Sequence, residues 1–323
     1  MRRLTIFVLV VAALYGGYWV LGARAVERGT EAALSQLARD GWALGETRAA
    51  LRGFPSRFDT TVEPVDLTAP DGAWRYESPF WQIMALAYRP TQVIAVAAPT
   101  HRITLPGMVL EAQSDGLRAS GKVLANTDLS FDGLTVEAAR IAVTSDLGPG
   151  MALRDLLAAA RPAGPAANTY EAYLGVGDVT LSSDDPAARP IARLVLDTVL
   201  RLDRPLDRHL ANGVPPLIEA VTLRDLTLDW AEARLGGKGD LVVDDAGYLE
   251  GEVVLKIENH AALLAQLVTV GAIAPDVAPT WVTMGNRLAG GAEVLSLPLR
   301  LSGGIMSIGP LPIGPAPRLY LRG

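Results

Sequence analysis

Three histidines, at positions 101, 209 and 260, are the side chains of this 323-residue chain best placed to exchange protons near neutral pH. They are far apart in sequence, and none has the i, i+4 spacing of a helical metal site. His101 opens a predicted strand, His209 sits in the charged run RLDRPLDRHL, and His260 follows Asn259 at a predicted helix start. Exposed or capping roles are expected for all three. No G-x-S-x-G nucleophile elbow occurs. The run GGKGD (236–240) has a lysine among glycines but not the order of a phosphate-binding loop, and it is read as a turn between strands. Two carboxylate pairs, Asp184-Asp185 and Asp244-Asp245, offer oxygen ligands to a hard cation but lack EF-hand spacing. The alternating Arg and Asp of RLDRPLDRHL read as a self-paired, solvated surface. With no cysteine in the chain, disulfides, zinc ribbons, iron–sulfur clusters and thiol chemistry are excluded. The inventory points away from an enzyme, and no cofactor or metal is expected.

The elements that would position any site are clearer. Half of the residues are apolar but only 6% are aromatic, which suits many thin Leu/Val/Ala-lined elements. A net charge of −6 without basic runs argues against nucleic acid as a partner. Arg2 and Arg3 precede an uncharged stretch from Leu4 to Ala23. That is the length needed to cross a bilayer as a helix. Tyr15, Tyr18 and Trp19 lie near its far end, where amphipathic rings favour the headgroup level. The expected partner of residues 1–25 is therefore the lipid bilayer, with the N-terminus cytoplasmic. Arg24 and Arg28 weaken that charge bias, and Ala23-Arg24-Ala25 has the shape of a signal-peptide cleavage site. Either reading sends the rest of the chain across the membrane. Residues 26–50 are predicted as an amphipathic stalk helix, with Leu34, Leu37 and Ala38 on one face.

From Phe58 onward the dominant period is two. Leu194, Leu196, Leu200 and Leu202 alternate with charged residues, as do Leu249, Val253, Leu255 and Ile257, and Leu295 to Leu301 follow the same rule. Half-buried antiparallel strands are the expectation, with turns at Pro70, Ser114, Asp244 and Ser302. Helices are predicted at 151–160, ended by Pro162, after the Asn259 cap, and within 280–288. Residues 161–168 read as a linker. FDGLTVEAARI (131–141) faintly echoes LRDLTLDWAEARL (223–235), so 51–323 is read as one β-rich domain with two similar halves meeting near 161–168. The expected fold is mainly β: an extended, curled antiparallel sheet with a few short helices, after a transmembrane helix. Its apolar face lines either a filled core or a groove for a lipid or other hydrophobic ligand.

Gly53, Phe54, Pro55, Arg57, Phe58 and Asp59 form the chain's most unusual run, LRGFPSRFDTTV (51–62). Alternation places Phe58, Thr60 and Val62 inward, and sets Arg57 and Asp59 on the other face where they can pair. The run is read as the corner joining the stalk helix to the first strand, pinned by its aromatics. With YWVLGARAVERG, SPFWQIMALAYRPTQVIAVAAPTHRI (78–103) and LPLRLSGGIMSIGPLPIGPAP (297–317), it resembles domain of unknown function 2125, a family of proteobacterial envelope proteins. The resemblance implies a membrane-anchored, mostly β protein facing the periplasm, with no catalytic residues to transfer. The stretch 225–257 more loosely resembles a strand unit of AsmA-like envelope proteins, whose β-grooves are associated with lipid handling. Together these imply a non-enzymatic binding or scaffolding role at the inner membrane. The alternative is a structural partner of an envelope complex, with a filled core and no ligand.

Overall fold

The structure is a computed structural model that describes all residues except 149, 165–167, 183–184, 186, 213–214, 310 and 321–323. The chain is mainly β, with every described register antiparallel in an open sheet, and it divides into two compact units. Unit 1 comprises residues 1–122 and 141–148, and unit 2 comprises 123–140 and 149–323.

Unit 1 opens with α1 (Arg2–Arg39), a single continuous helix. The expected anchor and the first part of the expected stalk are therefore one element. The stalk ends earlier than position 50, because β1 (Arg48–Arg52) has already begun. Strands β2 (Arg57–Glu63), β3 (Val65–Thr68), β4 (Arg75–Ser78), β5 (Trp81–Leu86), β6 (Arg89–Ala97), β7 (Thr100–Leu105), β8 (Met108–Asp115) and β9 (Arg118–Val123) follow. They pair in two runs, β1-β2-β5-β6-β9 and β3-β4-β7-β8. Ala23 of α1, Phe58 of β2 and Ala87 form a core cluster, joined by Trp19, Val26, Leu51 and Ala85. β10 (Phe131–Ser145) gives residues 131–140 to unit 2 and its remainder to unit 1.

Unit 2 is a meander. β11 (Met151–Pro162), β12 (Thr169–Leu181), β13 (Ile191–Leu202), β14 (Ile218–Trp230), β15 (Ala233–Val243) and β16 (Leu249–Glu258) each pair with the next. After α2 (His260–Thr269) and α3 (Ala278–Ala289), β17 (Val294–Ser302) returns beside β16, followed by β18 (Ile305–Ile308) and β19 (Leu311–Pro315). Asn259 caps α2 as expected, its side chain accepting the Ala262 N–H.

Two sequence expectations fail here. Residues 151–160 form β11 rather than a helix. Register shifts on both sides of Arg154, with Asp155 at φ 51°, place one extra residue in β12 and one in β11. The apolar positions then step from Leu153 to Leu156, a spacing of three that mimics a helical repeat. Helix propensity differs by only tenths of a kcal/mol per residue, about 0–0.7, so the ladder against β12 prevails despite these shifts. The run GGKGD likewise lies inside β15 and is not a turn. Gly237 faces Leu226 and Leu255 on the flanking strands, and a Cβ on it would sit 3.2 Å from both side chains. The glycines let neighbouring leucines close over the strand.

Candidate functional site

The Gly53–Asp59 run is a corner, but of a different kind from the one expected. It joins β1 to β2 as a tight hairpin, with Arg52 opposite Asp59. Gly53 has φ 113°, and Arg57 N–H donates to its carbonyl at 2.9 Å. A Cβ at Gly53 would lie 2.7 Å from the Arg57 carbonyl oxygen, so the turn requires glycine. The Phe54–Pro55 peptide is cis. Phe58 and Thr60 point inward as the alternation dictates, while Arg57 and Asp59 form a 3.0 Å ion pair on the other face.

This hairpin receives the far end of the apolar stretch. Trp19 stacks on Phe58 with ring centroids 5.9 Å apart and meets Phe54 edge-on at 5.2 Å. Its indole N–H donates to the Arg57 carbonyl at 2.9 Å. Tyr18 O–H donates to the Ala87 carbonyl at 2.7 Å. Gly22 clears the space for Phe58, because a Cβ there would fall 2.6 Å from the ring tip. Tyr15 contacts Tyr18 at 6.2 Å, and Arg2 and Arg3 begin the helix, exposed. Sequence reasoning placed the two groups of residues separately. The structure brings Trp19 onto the hairpin and Tyr18 onto the adjacent β5–β6 turn.

A second site was missed. A cavity of about 640 Å³ in unit 1 is lined by His101, Arg102, Glu46, Asp66, Glu77 and Glu111, among others. At its wall His101 is half-buried, not exposed as expected. Tyr76 O–H lies 2.8 Å from its Nδ1 and Ser114 Oγ 3.0 Å from its Nε2. Trp81 can only donate, and does so to the Tyr76 oxygen at 2.9 Å; the Ala98 carbonyl can only accept, and lies 3.4 Å from Ser114 Oγ. One neutral tautomer satisfies every member of this chain: Tyr76 donates to Nδ1, and Nε2–H donates to Ser114, which donates onward to the carbonyl. Burial favours the neutral ring by pushing its pKa below the ordinary value. Register alone assembles the group. Tyr76 pairs with Ile103 and His101 with Ala112, so both contacts of His101 are diagonal across strands.

Three of these carboxylates, Asp66, Glu77 and Glu111, pair with arginines. Asp66 takes a two-pronged grip from Arg75 at 2.8 Å on each oxygen, which holds its carboxyl below the usual range. Arg102 meets Glu111 at 2.6 Å. Among the described residues no group of three or more potential ligands could hold a metal ion. Asp244 Oδ1 instead accepts the Tyr248 N–H in a turn, and Asp184 lies outside the described residues. His209 is exposed; His260 packs against Gly285 of α3 with its Nε2 buried and unpartnered.

Unit 2 carries the most extensive feature. The registers align Leu174, Leu196, Leu226, Gly237, Leu255 and Leu297 in one row across β12 to β17. Val176, Leu194, Leu228, Leu235, Ile257 and Leu295 form the next row. At about 4.8 Å per strand each row is about 24 Å long. The opposite face presents Arg193, Asp197, Arg234, Lys256, Glu252 and Arg300. One end of the apolar face is closed by Leu241, Val253, Leu301 and Ala316. Near the other, Gln266 of α2 bonds to the Arg189 N–H and Trp230 to the Arg189 carbonyl. Between these ends Leu174, Leu196, Leu226, Leu255 and Leu297 are only half-buried, and among the described residues no large side chain is less than 2% exposed.

These features define a class: an antiparallel β protein on one N-terminal apolar helix long enough to cross a membrane. Within it, the chain belongs to the family described as an uncharacterised protein conserved in bacteria (DUF2125), which it matches over residues 19–317. No curated protein and no solved structure matches it.

Proposed function

We propose that this protein is anchored in the bacterial inner membrane by α1, with its N-terminus cytoplasmic and its β units in the periplasm. There it holds a lipid or similar hydrophobic ligand on the apolar face of unit 2, in a non-enzymatic binding or scaffolding role in the cell envelope. The support is that face: two aligned rows of leucine, valine and isoleucine, interrupted at Gly237, with the central leucines of one row half-exposed between a packed end and the end nearest α2. Extended apolar surface of this kind marks an interaction site. An uncleaved anchor is favoured because Trp19 and Ala23 belong to the core of unit 1, and cleavage after Ala25 would remove both.

The ligand is tested by irradiating the full-length protein in membranes that contain a photoactivatable phospholipid, then mapping the modified peptides. Crosslinks in β12 to β17 are expected. Crosslinks confined to residues 1–25 would exclude the ligand and favour a structural partner with a filled core. A phosphatase fused after Gly323 is expected to be active, and an inactive but expressed fusion would reverse the topology.

A further inference from the structure

We infer that the two turns beside α1 form a second membrane-contacting element, in which Phe54 and Tyr88 enter the interfacial layer of the bilayer that the helix crosses. The inference rests on the reading of α1 as a membrane span.

It follows from height along the helix. The uncharged stretch Leu4–Ala23 is about 30 Å long at 1.5 Å per residue, equal to the hydrocarbon thickness. Tyr18 and Trp19 therefore lie about 6–8 Å before its end, in the outer part of the acyl-chain layer just beneath the headgroups. Both residues spend their hydrogen bonds on the β unit, Tyr18 on Ala87 and Trp19 on Arg57. The β1–β2 and β5–β6 turns are thus tied to the helix at that height.

The exposed residues at these turns are those such a layer would receive. Phe54 is 64% exposed although one edge touches Trp19, and Tyr88, next to buried Ala87, is 71% exposed. Large aromatics this bare on turns are costly in water and are favoured at the lipid interface. Pro55 and Leu86 add apolar surface. Arg52 and Arg89, each exposed and close in sequence to one of the aromatics, carry the charge that suits anionic headgroups.

The chain has no cysteine, so single labels can be placed without background. Full-length Leu14→Cys, Phe54→Cys, Tyr88→Cys and Asp71→Cys proteins carry an environment-sensitive fluorophore in vesicles of phosphatidylethanolamine and phosphatidylglycerol. Spin-labelled lipids then quench near the headgroup or deep among the acyl chains. The expected result is deep quenching at 14, at the centre of the span, shallow quenching at 54 and 88, and none at 71, which lies in the β3–β4 turn. Quenching at 14 with 54 and 88 as water-exposed as 71 would overturn the docking while leaving the anchor intact. Absence of quenching at 14 would overturn the anchor and this inference with it. Shallow quenching at 71 as well would show a general surface association rather than insertion of two turns, and would also overturn it. Should the Phe54 variant fail to fold, Tyr88 decides the matter alone, since its side chain is 71% exposed.

Discussion

His101 holds its place through two hydroxyls, and protonation would break that arrangement. A second ring proton at Nδ1 would face the Tyr76 oxygen, which already accepts from Trp81, and the tyrosine proton would lose its acceptor. Burial lowers the His101 pKa from 6.5, so the unfolded chain binds more protons than the folded one. The resulting stability is fully present above about pH 6.5 and is lost as pH falls through the lowered value. Thermal unfolding of unit 1 is expected to show this decline, and a His101→Phe variant should lack it. That variant is also expected to be less stable near neutrality by about 1–3 kcal/mol, because the Tyr76 and Ser114 hydroxyls lose their shared partner. A denaturant titration at two pH values checks both. The sequence shows the histidine but not its partners, which arrive from adjacent strands by register.

At the level of elements, the helix and the hairpin act as one unit through small residues. Gly22 leaves room for Phe58, and Ala23 and Ala87 allow close approach. Phe58→Ala is expected to cost about 3–5 kcal/mol. Gly22→Val should dislodge the same ring from the helix side, shifting Trp19 fluorescence. An unchanged Trp19 spectrum in either variant would show that the two elements do not depend on each other. In unit 2, Gly237→Leu is expected to force Leu226 and Leu255 apart and to reduce lipid crosslinking to β14 and β16. The hairpin's inner and outer faces were legible from alternation, and so were the turns at Pro70, Asp244 and Ser302. β11 was not, because a bulge gives it a helix-like spacing. Nor was β15, because its glycines read locally as a turn and only the flanking leucines explain them. The corner was recognised as a corner, yet α1 reaches it from 35 residues away in sequence, counting from Trp19 to Phe54.

For the whole molecule, α1 is more than a tether. Deleting residues 1–25 is expected to uncover Phe58 and Ala87 and so to destabilise unit 1, read as increased binding of an apolar dye and faster proteolysis around residues 54–58. If the truncated chain matches the full-length protein in both, the helix is dispensable to the fold. The sequence by itself determined the apolar span, the β class and the parity of most strands, because length, hydropathy and period are local properties of the chain. It also carried the family's residues. The tertiary structure alone decided what those strands become together. Register aligned the leucines of six strands into continuous rows, set His101 between two hydroxyls, and seated Trp19 on the hairpin. Each of these depends on pairing between distant segments, which no local pattern encodes.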